Sequence, residues 1–592
     1  MKEKESIWGS TGRPVIHAKQ GIISSGHYLT SMAGMQILLK GGNAFDALVA
    51  AGFAAAVFEP TASYSLGAEG VFMLYDANSG DLLSLSGQGC APTKATIDFY
   101  KSQNLDCIPK GPGPLGHLAI TVPGVVDAYI SLLERYGTKK LSDVLESVIY
   151  YADAGFPFYE YMLHRLNLEK IGEQSRNFPP GCMEIFFRNG TLPQPGTLLV
   201  QKSLGNTLRK LVEAESRDQG NRQAGLKAAR DLFYRGEIAK SIIDYAQSVG
   251  GILSLEDLEN YHAKFDHPIR STFGRYEICG HSTWSQSTVL MQALNILERF
   301  DLKSMGHNSP HYIHTIVEAF KLAFADRAAY YGDPDFSTIP IDGLIAKDYS
   351  AERAALIDEN RAYPELPPAG NPWPFSLHEG KQVSNSMPPH TNPMEQNDHQ
   401  HGTTHIAVMD ERGNMVCATP SGGALADAVF FPELGCTLST RIEMFNLEND
   451  HPNRVEPGKR PRTTLVNYIV LNEGKPEMTI GCPGGDHQSQ ACLQLILNTL
   501  LFKMNPQEAV EASRFGTDSM PDSFYPHDYF AGQLALEKGF SAKTEASLKA
   551  LGHKIVHKEV CGMGATVARR DPDTGMLSTG ADQRRSCYAI GW

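Results

Sequence analysis

Residues 399–423, HQHGTTHIAVMDERGNMVCATPSGG, decide how the rest of the sequence is interpreted. From Thr404 the inward and outward positions alternate, DERGN at 410–414 supplies a turn, and MVCAT at 415–419 returns, so the pattern predicts a β-hairpin. The hairpin opens with a glycine and two threonines, directly after a segment without a folding pattern. The Gly402-Thr403 junction is therefore the most informative point in the chain.

The sequence on either side of this junction indicates one integrated α+β unit rather than two modules. Residues 25–42 and 43–60 predict two buried helices, the second capped by Asn43, and 70–87 predict strand, turn, strand. The stretch 125–330 is mostly helical in pattern, with its clearest helix opened by Ser309 and Pro310. Residues 363–402 are rich in Pro, Asn, Gln and His, which predicts a flexible linker, and strand patterns dominate afterwards.

Composition excludes several classes of protein. The net charge of -13 is spread over 66 acidic and 53 basic residues without a dense basic cluster, so we expect no nucleic-acid partner. The ten cysteines form no CxxC pair and lie mostly in apolar runs, which favours reduced thiols and a cytoplasmic location. The start of the sequence lacks an apolar signal core, and no run approaches a membrane span, so we expect neither export nor a membrane partner.

Cofactor and metal motifs are not supported by the sequence. GPGPLG at 111–116 matches a dinucleotide-binding glycine pattern, but its two prolines and the lack of a preceding strand argue against that function. No GxSxG elbow is present. His307, His311 and His314 cluster near a helix start, and His399 and His401 lie in the linker, but neither group has a carboxylate or Cys at ligand spacing. We expect no cofactor and no metal.

Thr403 suggests a different chemistry. A threonine hydroxyl becomes a useful nucleophile when a base lies beside it, and an N-terminal threonine carries its own α-amine for that purpose. That amine, with a reference pKa near 8, is formed only if the peptide bond before Thr403 is cut. Gly402 leaves room for the hydroxyl to attack its carbonyl, but these residues alone are more typical of a threonine-rich strand start.

Further motifs along the chain resemble those of the γ-glutamyltranspeptidase family, a group of self-cleaving N-terminal-nucleophile hydrolases. They occur in order as GGNAFDA at 41, VPG at 122, FADRAAYYGDPDF at 324, GTTH at 402, PGKRP at 457 and GCPGG at 481. The resemblance spans about residues 14–591 and implies a four-layer αββα sandwich. It also implies a large subunit, 1–402, and a small subunit, 403–592, that stay together as a heterodimer, with further dimerisation left open.

The resemblance implies specific roles for matching residues. Thr403 matches the nucleophile and, with Gly402, the cleavage site; Ser421 matches a hydroxyl that orients it. Gly484 and Gly485 match the pair whose backbone amides form the oxyanion hole, where a missing Cβ leaves room for substrate. Thr463 and Thr464 match a hydroxyl pair that binds the substrate's carboxylate in the family.

The sequence departs from the family where glutathione-cleaving members hold the glutamyl group. Gln88, Gly89 and Cys90 stand where an Arg is expected, Met444 stands at an Asp, Gly423 replaces an Asn, and the glycine-rich run is altered to SLGAEG. Each lost charged hydrogen bond is worth about 1.5 to 3 kcal/mol. Arg441, Arg462 and Glu443 are candidate contacts to another polar or acidic substrate, although a solvated surface charge is the favoured interpretation for any one of them. Gln88 is a further candidate contact.

These observations lead to one expected function and two rivals. We expect an autoprocessed threonine amidohydrolase that cleaves a small amide through an acyl-enzyme and does not prefer γ-glutamyl compounds. The first rival is a true γ-glutamyltransferase or glutathione hydrolase. The second is a relative that never matures and acts as a binding or scaffold protein, against which the intact GTTH and PGG motifs argue.

Overall fold

The structure is a computed structural model that describes residues 11–167, 182–187, 190–217, 221–381 and 402–592. The predicted hairpin is present: Ile406–Asp410 and Met415–Ser421 pair antiparallel, with Ile406 opposite Ala418. The described strands β1 to β21 are, in order, Ile16–Ala18, Gly21–Ser25, Glu69–Tyr75, Leu82–Gly87, Phe156–Pro157, Leu198–Leu199, Lys264–Asp266, Ile269–Phe273, Tyr276–Gly280, Ile406–Asp410, Met415–Ser421, Ala428–Phe431, Cys436–Ser439, Asn467–Asn472, Lys475–Gly481, Phe515–Thr517, Gln533–Leu536, Lys554–His557, Thr566–Arg570, Leu577–Ala581 and Tyr588–Gly591.

The helices follow the predicted start and stop signals. Asn43 caps the second helix in a reciprocal capping box with Asp46, and Ser309 accepts from the amide of Tyr312 ahead of Pro310. The described α-helices α1 to α19 are, in order, Tyr28–Leu39, Ala44–Phe58, Ile97–Ser102, Val125–Tyr136, Leu141–Ala154, Glu160–Asn167, Cys182–Phe186, Lys202–Arg217, Arg222–Tyr234, Glu237–Ser248, Leu255–Glu259, Ser287–Leu297, Leu302–Met305, Pro310–Tyr330, Ile341–Leu344, Lys347–Ala354, His487–Ile496, Pro506–Glu511 and Ala542–Ala550.

Two seven-stranded sheets form the centre of the molecule. One has the order β21-β2-β10-β11-β3-β4-β7, with the hairpin in its middle, and the other has the order β1-β20-β19-β15-β14-β9-β8. Both sheets contain strands from before and after residue 402, and β2 and β3 flank the hairpin on its two sides. A cut before Thr403 would therefore leave two chains joined by strand pairing and a shared core.

Buried apolar side chains fill the three spaces between four layers, which are helices, sheet, sheet and helices. This is the αββα arrangement. Met409, Met415 and Cys417 of the first sheet meet Ile469 and Ala568 of the second in a core between the sheets. The opposite face of the first sheet packs on helices such as α2 and α4, and the opposite face of the second packs on α12, α14 and α17. The predicted fold class is confirmed.

The segment 363–381 is attached to this core, which corrects part of the predicted linker. Leu366 and Ala369 are buried, the Leu366 amide donates to the Tyr529 hydroxyl (2.7 Å), and the Gly370 amide donates to Asp326 Oδ1 (2.8 Å). Two apolar side chains and a few backbone hydrogen bonds fix a segment whose composition resembles a linker. Residues 382–401, with His399 and His401, lie outside the described residues.

Two further expectations can be compared with the structure. Eight of the ten cysteines, all except Cys90 and Cys107, are buried. Among the described residues, no helix combines the length and the hydropathy that crossing a bilayer would require.

Candidate active site

Three neighbouring central strands of the first sheet bring Thr403, Ser421 and Glu69 side by side at one end of these strands. Thr403 bridges Ser421 just before β10 begins, and Ser421, at the end of β11, pairs directly with Glu69, the first residue of β3. Directly paired residues project from the same face of a sheet, here the face between the two sheets. Each of the three residues is at most 1% exposed.

A short hydrogen-bond network surrounds the peptide bond between Gly402 and Thr403. The Thr403 hydroxyl donates to the Gly402 carbonyl oxygen (2.8 Å), which also accepts from Ser421 Oγ (2.7 Å). Thr403 Oγ1 and Ser421 Oγ lie 2.8 Å apart, and Arg441 Nη2 donates to Ser421 Oγ (2.7 Å). The sequence-predicted nucleophile, orienting hydroxyl and scissile bond are thus held in contact.

Gly402 occupies a space that excludes a side chain. A Cβ at this position would lie 2.5 Å from Ala424 Cβ and 2.8 Å from the carbonyl oxygen of Ala62. The Gly402 amide donates to Asp427 Oδ2 (3.3 Å), which fixes the chain on the N-terminal side of the Gly402-Thr403 bond. The glycine that the sequence marked as a small residue before the cut is therefore required by packing.

Arg585 and Glu59 form a buried ion pair next to Thr403 that the sequence did not predict. Arg585 donates to the Thr403 carbonyl oxygen and lies 3.1 Å from Glu59 Oε2. Glu59, just after α2, also accepts from Thr404 Oγ1 (3.3 Å) and Ser63 Oγ (3.1 Å). Burial raises the pKa of Glu59, and Arg585 opposes that rise. No local motif marks Glu59 and Arg585, which are 526 residues apart in sequence.

Gly484 and Gly485 form the turn between β15 of the second sheet and α17, near the start of the hairpin that follows Thr403. A Cβ on Gly481, the last residue of β15, would lie 2.1 Å from His405 Cε1, so β15 ends against the start of the hairpin. Gly484 and Gly485 follow with φ of +132° and +57°, a conformation that favours glycine. Gln286 Nε2 donates to the Gly485 carbonyl (3.1 Å) and fixes the turn.

Arg441 is buried and paired, and not a surface charge. Its Nε lies 3.2 Å from Glu69 Oε1, which also accepts from Thr463 Oγ1 (3.4 Å). Burial raises the pKa of Glu69, while the Arg441 guanidinium opposes the rise. The other oxygen of this carboxylate, Oε2, is buried and makes no hydrogen bond of good geometry, although the nearby Gly89 backbone amide also opposes the rise in the pKa of Glu69. The altered glycine run SLGAEG thus places an acid beside Ser421 and Thr403.

The remaining predicted substrate contacts divide into different environments. Arg462 Nη2 donates to Ser523 Oγ (3.1 Å), away from Glu69, and burial lowers the pKa of Arg462 to about 9. The Thr464 hydroxyl accepts from Gln488 Nε2 (3.4 Å), so only Thr463 of the threonine pair contacts Glu69. Arg462 and Thr464 therefore each already have a hydrogen-bond partner within the protein.

Gln88 lies just after β4, next to the strand that carries Glu69. Gly87 of β4 pairs with Gly70 of β3, and the backbone amide of Gly89 opposes the rise that burial causes in the pKa of the Glu69 carboxyl. The Gln88 Nε2 donates to the Pro461 carbonyl, and the residue lines a cavity of about 370 Å³ with Cys90, Asp257 and Arg460. Its role as a substrate contact stays a prediction.

The fold also assembles a group of potential metal ligands that the sequence did not suggest. His314 and Glu318 on α14 meet His553, with His314 Nδ1 and His553 Nε2 2.9 Å apart. His314 Nε2 also lies 2.8 Å from the Asp358 carbonyl oxygen, and Lys321 Nζ lies 2.7 Å from Glu318 Oε1. Since an ammonium already neutralises the carboxylate, we assign no ion to this group.

Glu443 gives the site a pH-dependent element. It is 2% exposed beside Met444, accepts from the Tyr525 amide (3.3 Å), and burial raises its pKa to about 7, against opposition from Lys110 and Arg441. Because the folded state binds this proton more tightly than the unfolded state, whose carboxyl has the ordinary value of 4.5, stability from this group falls as pH rises from 4.5 to 7.

Glu443→Gln, which does not titrate, should therefore gain stability relative to the original protein between pH 5 and pH 8, by about 2 to 3 kcal/mol. The difference in Tm between variant and original protein, measured at both pH values, checks this expectation. An equal difference at pH 5 and pH 8 would show that the carboxyl titrates normally.

Several known proteins are similar to this chain over nearly its whole length. A family profile described as Gamma-glutamyltranspeptidase matches residues 30–592. The chain is 30% identical to a glutathione hydrolase proenzyme of Bacillus subtilis (strain 168), covering 97% of this chain and 92% of that protein. It is 32% identical to the Acylase ACY 1 proenzyme of Pseudomonas sp. (strain SE83), covering 94% and 90%. The crystal structure of cephalosporin acylase from Bacillus halodurans aligns with a TM-score of 0.83 at 26% identity, covering 100% of this chain and 99% of that chain.

Proposed function

The chain belongs to the γ-glutamyltranspeptidase family, and we propose that it is a self-cleaving N-terminal-threonine amidohydrolase of the acylase type. The observation that carries this proposal is the contact of two hydroxyls, Thr403 Oγ1 and Ser421 Oγ, with the carbonyl oxygen of Gly402. If Thr403 only began a strand, it would not need the Ser421 hydroxyl on the Gly402 carbonyl. Nor would it need Arg585 on its own carbonyl oxygen.

The first step of the proposed mechanism is cleavage of the chain. Thr403 Oγ1 attacks the Gly402 carbonyl carbon, its proton passes to the departing amide nitrogen, and an ester replaces the peptide bond. Water then hydrolyses the ester, leaving a carboxylate on Gly402 and a free α-amine on Thr403. Arg441, by donating to Ser421, leaves the Ser421 hydrogen free for the Gly402 carbonyl oxygen.

The second step is amide hydrolysis by Thr403, which after cleavage is the N-terminal residue of the second chain. Its α-amine accepts the hydroxyl proton as Oγ1 attacks the substrate carbonyl, and it returns a proton to the leaving amine. We assign the oxyanion to the backbone amides of Gly484 and Gly485, because this turn lies before the N-terminus of α17, where the helix dipole favours negative charge. Water attacks the acyl-enzyme and releases the acid.

The surroundings of the nucleophile argue against a preference for γ-glutamyl groups. Met444 is buried and uncharged, and a side chain at Gly423 would meet the Ser65 amide nitrogen at 2.6 Å. Gln88 is uncharged and already donates to the Pro461 carbonyl, and Arg441 is already paired with Glu69. A zwitterionic acyl group would therefore be desolvated without adequate charge partners. The similarity to Acylase ACY 1 supports an acylase substrate.

A substrate panel tests the proposal. The matured enzyme should cleave a γ-glutamyl anilide at least about a hundredfold less efficiently than its best N-acyl amide, because two missing charged contacts are worth roughly 3 kcal/mol or more. Transfer to a dipeptide should be negligible beside hydrolysis. The measurement is kcat/KM for the γ-glutamyl anilide, glutathione, simple N-acyl anilides and oxamate. If glutathione or the γ-glutamyl anilide is the best substrate, the chain is a glutathione hydrolase, as its B. subtilis relative is named.

A further inference from the structure

We propose that Glu69 is a built-in specificity determinant: its carboxylate, held by Arg441 beside the nucleophile, excludes acyl groups that carry a carboxylate and favours uncharged or amino-bearing ones. This inference rests on the amidohydrolase function proposed above. It concerns which acyl group the same site accepts.

The position of Glu69 is fixed by strand pairing. It lies directly opposite Ser421, whose hydroxyl contacts Thr403 Oγ1, so its side chain emerges next to the reacting oxygen. Directly opposed residues of an antiparallel pair have Cβ atoms about 4.5 to 5.5 Å apart. An acyl group attached to Thr403 must therefore pass close to this carboxylate.

The contacts of Glu69 resemble those that would bind a carboxylate of a substrate. Arg441 Nε lies 3.2 Å from Oε1, and the Thr463 hydroxyl donates to the same oxygen. A guanidinium together with a hydroxyl is a typical carboxylate-binding pair. Since Glu69 itself provides the carboxylate, a second one from the substrate would meet a partner that is already neutralised.

The second carboxylate oxygen of Glu69 strengthens this argument. Oε2 is fully buried and makes no hydrogen bond of good geometry, although the backbone amide of Gly89 lies close enough to the carboxylate to oppose the rise in its pKa. A buried acceptor without a well-placed donor is unfavourable, and an N–H group of an acyl chain would satisfy it, whereas a second carboxylate would be repelled. The pocket thus prefers donors over acids on the acyl side.

The test compares three p-nitroanilides of similar length: butyryl, which is uncharged, glutaryl, which ends in a carboxylate, and 4-aminobutyryl, which ends in an ammonium. The original enzyme should cleave glutaryl less efficiently than both others. In Glu69→Gln, which keeps the shape but removes the charge, the glutaryl-to-butyryl ratio of kcat/KM should rise about 10- to 100-fold. Glu477→Gln removes another buried carboxylate, which pairs with Arg569 in the second sheet, and should leave this ratio within about twofold.

The double variant Glu69→Gln, Arg441→Met should lose the gain, because the guanidinium that would bind the glutaryl carboxylate is gone. A ratio unchanged by Glu69→Gln, or an original enzyme that prefers the glutaryl anilide, would overturn the inference while leaving amide hydrolysis intact. Absence of hydrolysis with every anilide would instead count against the proposed function.

Binding of free acids gives a readout that does not need turnover. Glutarate should raise the Tm of Glu69→Gln and have a smaller effect on the original protein, whereas butyrate should affect both equally. Equal shifts with glutarate in the two proteins would contradict the inference even if the variant fails to mature.

Discussion

Thr403→Ala is expected to abolish amide hydrolysis, with a loss of about 10⁴-fold or more in kcat, because it removes the atom that attacks both the chain and the substrate. The variant should still fold. The Thr403 side chain contributes hydrogen bonds to Gly402 and Ser421 but is no part of an apolar cluster. Initial rates on the best amide of the panel, with Tm as a measure of folding, give the comparison.

Thr403→Ser is the matched control. It keeps a hydroxyl at the same position, so both cleavage and hydrolysis should persist, although a primary hydroxyl without the methyl group is less restricted in χ1 and both should slow. If Thr403→Ala retains hydrolysis comparable to Thr403→Ser, another residue is the nucleophile.

Gly485→Val should have the next largest effect, a loss of about 10² to 10³ in kcat with the chain still folded. Gly485 has φ of +57°, so a branched side chain would force the turn to shift and would misdirect an amide that we assign to the oxyanion. The measurement is kcat on the same amide, with Tm recorded alongside.

Gly474→Val provides the control for backbone strain. Gly474 has φ of +82° in the turn between β14 and β15, where an added Cβ meets nothing within 4 Å. It carries a comparable conformational cost of about 1 to 2 kcal/mol but lies away from the site. Equal losses of activity in the two variants would mean that strain, and not the oxyanion contact, explains the effect at Gly485.

Features encoded within a few residues were predictable from the sequence. The hairpin at 406–421, the capping box of Asn43 and the Ser309-Pro310 helix start depend on side-chain patterns of short range. The Gly402-Thr403 junction was recognisable for the same reason, since a small residue before a hydroxyl is a local feature. The whole-chain order of motifs then implied the four-layer fold.

Features that depend on distant parts of the chain were not predictable. Glu69 was visible only as a change in a glycine run, and its pairing with Arg441 requires β3, β11 and the turn at 441–444 to meet. The Glu59-Arg585 pair joins the two ends of the chain. Gln88 was assigned to the substrate by its sequence position, and its hydrogen bond to the Pro461 carbonyl joins residues 373 positions apart.

The most direct test of the account is the intact mass and N-terminal sequence of the purified protein under denaturing conditions. The account predicts two chains, residues 1–402 and 403–592, whose masses add up to the 64.8 kDa of the full chain plus one water, the smaller chain beginning with Thr403. They should co-purify without a disulfide, and Thr403→Ala should remain one chain. A single uncut chain in the original protein, or a cut at another bond that persists in Thr403→Ala, would contradict the assignment of Thr403 as the self-cleaving nucleophile.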